Sequence, residues 1–358
     1  MSTPSRPIAE PPVPSYPPKP APGDRIAVIS PSSGLPGILP LPYELGLARL
    51  REEFALEPVE YPATRKMGST PRERADDIHA AFADPTAKAV MASIGGDDQL
   101  TVLPLLDREL IRAHPKPFFG FSDNTCLLLF LRNLGIVAYH GACVMTELGR
   151  PYALHPVTAA SIRAALFTSG PHELRPAARF RDTDRDWADP ATFEAEPEDR
   201  AGAGWIWHRP DRVAEGRAWG GNLEILSWLL MADREVAAAP EAAEGGVLFL
   251  ETSEEMPRAE EVFRILRCMG ERGLLARFSA LMMGRAKAWS FDQPHDIEGR
   301  LRYAEEQREA VLRALKTYAP DLMAVFDVDL GHTDPQVVIP YGGVVRVDGP
   351  ARRITVTY

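Results

Sequence analysis

The chain has 358 residues, of which 45% are hydrophobic and 25% charged, which is typical of a globular protein long enough for two domains. Its net charge of -10 argues against nucleic-acid binding, because neutralising phosphates requires clustered Lys and Arg. The 3 cysteines are sparse and unpaired in spacing, and no apolar run or leader pattern indicates a membrane helix or signal peptide. We therefore expect a cytoplasmic protein that does not bind a membrane.

The first half of the chain alternates short apolar runs with amphipathic stretches. Residues 1–22 are dense in proline and predict an extended or disordered arm. After it we predict, in chain order, strand 25–30, helix 43–54, strand 57–61, helix 70–83, strand 89–94, helix 99–111, strand 117–121 with its helix, and strand 136–140. Thr70, Pro71 and Glu73 form the pattern of a capping box with proline in the first turn.

This alternation predicts an α/β fold with a doubly wound parallel sheet in residues 23–170. In such sheets binding and catalysis gather at the carboxyl ends of the strands. Three strand ends are therefore of interest here: Ser32-Ser33, Gly95-Gly96 and Ser122-Asp123.

Residues 171–217 lose the alternation and contain charges, prolines and three tryptophans, including Trp187, which predicts a crossing linker or insertion. Residues 218–358 predict a smaller α/β, barrel-like domain. We expect its helices at 223–231, 258–269 and 301–316, strands at 246–250 and 279–284, and short strands from 325 to the end. Asn222 is the expected N-cap of the first of these helices.

Ser122 lies where an aromatic strand pattern, Phe118-Phe119-Gly120, changes to a leucine-rich helix pattern. A serine on a sharp turn from strand to helix presents its hydroxyl for nucleophilic attack. The alternative is that Ser122 only caps the helix, because serine is a favoured N-cap and Asn124 replaces the second glycine of the usual G-x-S-x-G turn.

A nucleophilic serine needs a base and an acid that orients the base. His332 follows a strand-like run and Gly331, and Glu251 directly follows the apolar run Val247-Leu248-Phe249-Leu250, where a carboxylate is costly to bury unless it is paired. His140 also ends a strand. Each of these residues also has an ordinary structural interpretation, as a histidine at a strand end or an acid capping a loop.

Six separated segments resemble, in order, the LD-carboxypeptidase family of serine peptidases. They are residues 23–32, 95–98, 120–123, 220–223, 248–251 and 331–332. The resemblance runs from about residue 23 to the C-terminus. It implies an N-terminal domain like those of class I glutamine amidotransferases and flavodoxin, a smaller C-terminal domain, a site in the groove between them, and a homodimer.

The resemblance also implies the roles of individual residues. Ser122 corresponds to the nucleophile, His332 to the base and Glu251 to the acid of a Ser-Glu-His triad, which needs no metal or other cofactor. The backbone amides of Gly96 and Asp123 correspond to the oxyanion hole. From the same resemblance we expect Gly95, Trp187 and Asn222 to contact the substrate.

Two substrate classes are open within this family. One branch releases the terminal D-amino acid from a murein tetrapeptide, and the other, the microcin C self-immunity peptidases, cleaves aminoacyl-nucleotide compounds. The extra length at 171–217 favours the second branch, with Trp187 stacking on the base, although Trp187 also fits a packing role. Outside this family the alternatives are a small-molecule binding protein without catalysis, or an amidotransferase-like hydrolase using Cys126.

Overall fold

The computed structural model describes residues 12–237 and 239–358. The strands are β1 (Arg25–Ile29), β2 (Glu57–Glu60), β3 (Ala87–Ala92), β4 (Phe118–Gly120), β5 (Ala138–His140), β6 (Pro171–Leu174), β7 (Arg179–Phe180), β8 (Arg200–Ala201), β9 (Ile206–His208), β10 (Val213–Asn222), β11 (Val247–Glu251), β12 (Ala280–Gly284), β13 (Met323–Val328), β14 (Ile339–Tyr341), β15 (Val344–Asp348) and β16 (Arg353–Thr357). The α-helices are α1 (Pro40–Glu52), α2 (Pro71–Ala83), α3 (Arg108–Ala113), α4 (Thr125–Asn133), α5 (Pro156–Phe167), α6 (Ala191–Glu194), α7 (Leu223–Ala232), α8 (Ala239–Ala243), α9 (Ala259–Glu271) and α10 (Ile297–Tyr318).

Two helix starts form as their sequences predict. The hydroxyl of Thr70 accepts a hydrogen bond from the Glu73 amide, and the Glu73 carboxylate accepts one from the Thr70 amide, which closes a capping box on α2. Asn222 Oδ1 accepts from the amide of Ile225 at 2.9 Å and caps α7.

The single helix predicted over residues 99–111 is wrong. This segment forms two short 3₁₀ turns, Gln99–Thr101 and Leu103–Leu105, and only then α3, whose N-cap is Asp107. The reason is Pro104, which has no amide hydrogen to donate and whose ring clashes with the preceding turn of an α-helix.

A large, mostly parallel sheet forms the centre of the fold, so the predicted α/β class is confirmed. Its strand order is β2-β1-β3-β4-β5-β14-β10-β11-β12-β13-β9. Strands β1 to β5 pair in parallel, and so do β14 and β10 to β13. The two parallel sets join through the antiparallel pair β5 and β14, and the sheet direction reverses there.

Side-chain contacts reinforce this join between the two parallel sets. The Asn222 amide at the end of β10 donates to Thr125 Oγ1 at the start of α4, at 3.0 Å. Gln336 accepts from the Ala142 amide, at 3.0 Å, and donates to the Gly331 carbonyl, at 2.6 Å. The division at residues 170 and 217, and the finer fold labels for the two parts, stay predictions.

The proline-rich arm and the crossing segment both lie against the sheet. Ser15 bridges to Ile136, and β9 pairs antiparallel with β13. Trp205 Nε1 donates to Asp329 Oδ2 at 2.9 Å. The part of the predicted arm in residues 1–11 lies outside the described residues.

Candidate active site

Ser122 lies on the sharp turn between β4 and α4, as the strand-to-helix pattern predicts. Its φ is 61°, a left-handed conformation that is uncommon for a residue other than glycine and that concentrates at functional turns. The Ser122 side chain caps neither the 3₁₀ turn Ser122–Asn124 nor α4. The capping interpretation is therefore wrong, and the partly exposed hydroxyl stays available at the mouth of the turn.

Cys126 is unsuited to the nucleophilic role that one alternative gave it. Its side chain is buried inside α4, and burial raises the pKa of the thiol well above its ordinary value. The thiolate is the reactive form of cysteine, so the buried thiol is held in its unreactive form.

A glycine loop, residues 95–98, lies directly against Ser122. A Cβ on Gly95 would lie 2.8 Å from Ser122 Cβ and 3.0 Å from Ser122 Oγ, so the loop approaches the serine as closely as glycine permits. The carboxylate of Asp123 fixes this loop by accepting from the amides of Asp98 and Gln99, at 3.0 and 2.8 Å. Burial raises the pKa of Asp123 to about 6.

The amides of Gly96 and Asp123 belong to these two adjoining segments. Among the described residues, neither amide donates a hydrogen bond to a side chain or to a backbone carbonyl outside the helices and strands. Free amides beside a nucleophile are the groups that an oxyanion hole needs.

We expect Gly95→Ala to lower kcat/KM by about 100-fold or more, the cost typical of misplacing a reacting group by about 1 Å. The added Cβ would displace the Ser122 hydroxyl, while the backbone of Gly95 is not in the left-handed region and accepts alanine. Steady-state kinetics together with a thermal melt test this prediction. Wild-type kinetics in a normally folded variant would contradict the close packing of loop and serine.

The structure brings Glu251 and His332 together although 80 residues separate them in the chain. Glu251 is the last residue of β11 and His332 follows β13, and His332 Nδ1 lies 2.6 Å from Glu251 Oε2. The Glu251 side chain is 0% exposed and that of His332 is 11% exposed. Glu251 therefore has the partner that a buried carboxylate at the end of an apolar strand needs.

This pairing sets the charges of both groups. Burial raises the pKa of Glu251, but the neighbouring His332 and His140 outweigh burial and lower it overall. Burial lowers the pKa of His332, but the charges of Glu251 and Glu254 outweigh burial and raise it to about 9. An ionised acid beside a protonated imidazole is the charge state that such a buried pair favours.

His140 lies behind the pair, near the site as its position at the end of β5 suggested. Its Nε2 is 3.8 Å from Glu251 Oε1, and its ring packs edge-on against Phe121 and Phe249. Glu251 thus has one imidazole facing each of its two oxygens.

Glu254 is a site residue that sequence reasoning missed. Its Oε2 lies 3.1 Å from His332 Nε2, the nitrogen that a catalytic base must present to the serine. The only signal was its position three residues after Glu251, in a polar loop where many acids would be solvated.

Ser122 and His332 line the same cavity, which has a volume of about 510 Å³. Among the described residues, Ser122 makes no hydrogen bond with His332, whose Nε2 faces Glu254 instead. Gly95, Gly96 and Trp187 also line this cavity.

Asn222 is placed differently from the other predicted contact residues. It does not belong to the cavity wall; its side chain is 1% exposed and caps α7. It lies beside Glu251 in the register of β10 and β11. Asn222 therefore supports the strand that carries the acid.

The serine turn, the glycine loop and the buried acid-imidazole pair together are the features of a serine peptidase. Two family models match the chain: the LD-carboxypeptidase N-terminal domain over residues 26–141 and the LD-carboxypeptidase C-terminal domain over residues 215–347. The chain belongs to the LD-carboxypeptidase family of serine peptidases. It is therefore an enzyme, and the alternative of a binding protein without catalysis is wrong.

Curated relatives include both branches considered from the sequence. The microcin C7 self-immunity protein MccF of Escherichia coli is 25% identical over 292 residues, covering 80% of this chain and 79% of that protein. The murein tetrapeptide carboxypeptidase of Pseudomonas aeruginosa is 40% identical over 86 residues, covering 24% of this chain and 28% of that protein.

Solved structures agree with the fold. MccF in complex with aspartyl sulfamoyl adenosine has a TM-score of 0.83 at 22% identity, covering 96% of this chain and 99% of that chain. An MccF-like protein from Streptococcus pneumoniae in complex with AMP has a TM-score of 0.80 at 24% identity, covering 94% and 99%. At these identities the likeness establishes the shared fold.

No helix in the described ranges has the length and apolar character needed to cross a membrane. Nor do the described side chains include a group of three His, Cys, Asp or Glu that could hold a metal ion.

Proposed function

We propose that this enzyme is a serine hydrolase with a Ser122-His332-Glu251 triad, which cleaves the amide-like bond of aminoacyl-nucleotide compounds. The observation that carries the proposal is the buried Glu251 and His332 pair opening onto the cavity that Ser122 lines. In this proposal four strand ends supply the glycine loop, the nucleophile, the acid and the base.

The reaction follows from these positions. His332 Nε2 takes the proton from Ser122 Oγ, which attacks the acyl carbon, while the amides of Gly96 and Asp123 bind the developing oxyanion. His332 then gives the proton to the leaving nitrogen, the bond to the nucleotide part breaks, and an acyl-enzyme remains. Water, deprotonated by His332, releases the amino acid and restores Ser122.

For this reaction His332 Nε2 must be free to accept the proton of Ser122. Glu251 holds Nδ1 at 2.6 Å and keeps the proton on that nitrogen, so Nε2 is the atom left to act as base. Nε2 faces Glu254 at 3.1 Å, so proton transfer from Ser122 requires this contact to break.

The aminoacyl-nucleotide class is supported by aromatic and apolar side chains in the wall of the same cavity. Trp187 lies there, partly buried, with Phe291 and Leu35 as further apolar surface. A tryptophan face suits stacking on a flat nucleobase. Relatives of the same fold bind aspartyl sulfamoyl adenosine and AMP.

A second candidate activity is release of the terminal D-amino acid from a murein tetrapeptide. The specific observation in its favour is the 40% identity to the Pseudomonas aeruginosa enzyme over 86 residues. Both activities use the same triad and differ in the group that fills the far side of the cavity.

The deciding experiment offers the protein an L,D-tetrapeptide and, separately, aspartyl or glutamyl sulfamoyl adenosine. We expect hydrolysis of the adenosine compounds. Cleavage of the tetrapeptide alone would establish the second activity and overturn the first.

We predict that Trp187→Ala raises KM for the adenosine compound by about 10-fold or more, since a base stacked on an aromatic ring contributes about 1–3 kcal/mol. Its effect on the tetrapeptide should be small. Trp207→Ala is the matched control, because Trp207 lies on β9 outside the cavity wall. Unchanged KM in the Trp187 variant would remove the stacking role.

We also propose that the enzyme forms a homodimer in the cytoplasm, as the family resemblance and sparse cysteines led us to expect. Sedimentation at several protein concentrations and fractionation of the producing cells test these two points.

A further inference from the structure

Both nitrogens of His332 face a carboxylate. Nδ1 lies 2.6 Å from Glu251 Oε2, and Nε2 lies 3.1 Å from Glu254 Oε2. A carboxylate accepts and does not donate when ionised, so each ring nitrogen must carry a hydrogen to make both bonds. In this arrangement the imidazole is an imidazolium and cannot take the proton of Ser122.

Glu254 differs from Glu251 in its surroundings. Its side chain is 59% exposed and lines the cavity, while Glu251 is 0% exposed. In the described chain His332 is its ion-pair partner, and no other is found. The contact is therefore one that a group entering the cavity can replace.

The loop that carries Glu254 is anchored on both sides of it, since the Met256 amide donates to the Ser253 carbonyl and Gln293 donates to the Glu255 carbonyl. Ser253 donates to Glu224 Oε1 through its amide and its hydroxyl, at 2.9 and 2.7 Å. Glu224, on α7, is partly buried, and this burial raises its pKa to about 7. These hydrogen bonds fix the backbone position of Glu254, so only its side chain has to move for the contact with His332 to break.

The other carboxylates that act on the imidazole come from two elements. Glu251 ends β11, Glu224 lies on α7, and both carboxylates favour the imidazolium. The cation Lys287 of the same cavity pairs with Asp184, at 2.5 Å. The carboxylate of Glu254 can therefore form an ion pair with a cationic group of the substrate.

We propose that Glu254 binds the α-ammonium group of an aminoacyl substrate and that this exchange releases His332 Nε2 to act as the base. The inference rests on the proposed function, since it assigns the aminoacyl end of that substrate. Glu254 is in this role a specificity-determining residue, and in the absence of substrate it keeps the enzyme at rest.

The chemistry of the substrate makes the exchange possible. The α-ammonium is attached to the carbon next to the acyl carbon, so a substrate attacked by Ser122 carries its positive charge close to His332. When Glu254 pairs with the ammonium, the imidazolium loses one negative neighbour and its Nε2 proton passes to water. In a tetrapeptide the corresponding nitrogen is an uncharged amide, which gives Glu254 no partner.

The first test uses a serine-reactive fluorophosphonate and needs no substrate. The labelling rate of the wild-type enzyme should rise with pH along the deprotonation of His332. In Glu254→Gln we expect the midpoint to fall by about 1 pH unit or more, because a neighbouring carboxylate is lost. Glu255→Gln, an exposed acid of the same loop, should match the wild type.

The second test compares aspartyl sulfamoyl adenosine with its N-acetyl derivative. The wild type should prefer the free amine by about 10- to 100-fold in kcat/KM, the usual value of a hydrogen bond to a charged group. Glu254→Gln should lose this preference and Glu255→Gln should keep it.

These tests separate the failure of the inference from failure of the proposed function. If Glu254→Gln kept both the wild-type labelling midpoint and the amine preference, the role of Glu254 would be wrong while the triad stood. If the wild type cleaved neither adenosine compound, the proposed substrate and the ammonium site would both be wrong, although a shifted labelling midpoint would still support the contact with His332.

Discussion

Ser122→Ala is expected to lower kcat by a factor on the order of 10⁶ with little change in KM or in thermal stability. Ser122 lies on a turn with φ of 61°, and its hydroxyl caps no helix, so its removal should not destabilise the fold. Removing it deletes the acyl-enzyme route and leaves the cavity and its binding groups in place. Burst kinetics and a calorimetric melt measure the two parts of this result.

Cys126→Ala is the matched control, and it should keep most of the activity because its thiol is buried in α4. The fluorophosphonate should label Ser122 in the wild type and in this control, as peptide mapping by mass spectrometry can determine. Near wild-type turnover by the Ser122 variant would make the triad wrong, whichever substrate is used.

Glu251→Gln should lower kcat by about 10⁴-fold, the cost of replacing the orienting acid of a serine triad by an amide. The amide keeps the volume of the buried side chain but can hold Nδ1 without its hydrogen, which favours the wrong tautomer. The change also removes the negative charge that raises the pKa of His332. The acidic limb of the pH profile should therefore move to lower pH.

Its control is Glu255→Gln, which removes a carboxylate from the same loop away from the imidazole. Stability is measured alongside, because Glu251 is fully buried and also faces His140. A variant that folds normally and retains full activity at neutral pH would contradict the assignment of the orienting acid.

Much of the site was readable from the sequence because each part breaks a local pattern. Glu251 is a charge directly after a buried apolar strand, Gly95-Gly96 ends another strand, and Ser122 interrupts a run of strand and helix formers. Residues of this kind destabilise the fold unless they are paired, so their presence indicates a function. The sequence nominated Glu251 as a buried acid in need of a partner, but its role as the acid that orients His332 came from the family resemblance, since no local signal joins residues so far apart.

Other features depended on tertiary contacts that no local pattern reports. Glu254 is one acid in a polar loop until the fold places it against His332. The reversal of the sheet at β5 and β14 joins strands that are far apart in the chain, so the sequence pattern predicts a strand but not its pairing. Asn222 was predicted both as a cap and as a substrate contact, and its buried position supports the cap.

The antiparallel pair β5 and β14 also bears on how this family can be rearranged. Because it closes the sheet between the two sets of strands, cutting the chain between them would leave β5 and β14 as open edges with unpaired amides and carbonyls. Such edges invite aggregation, so each half depends on the other for its solubility. Recombining halves from different relatives would therefore require that β5 of one half still pair with β14 of the other.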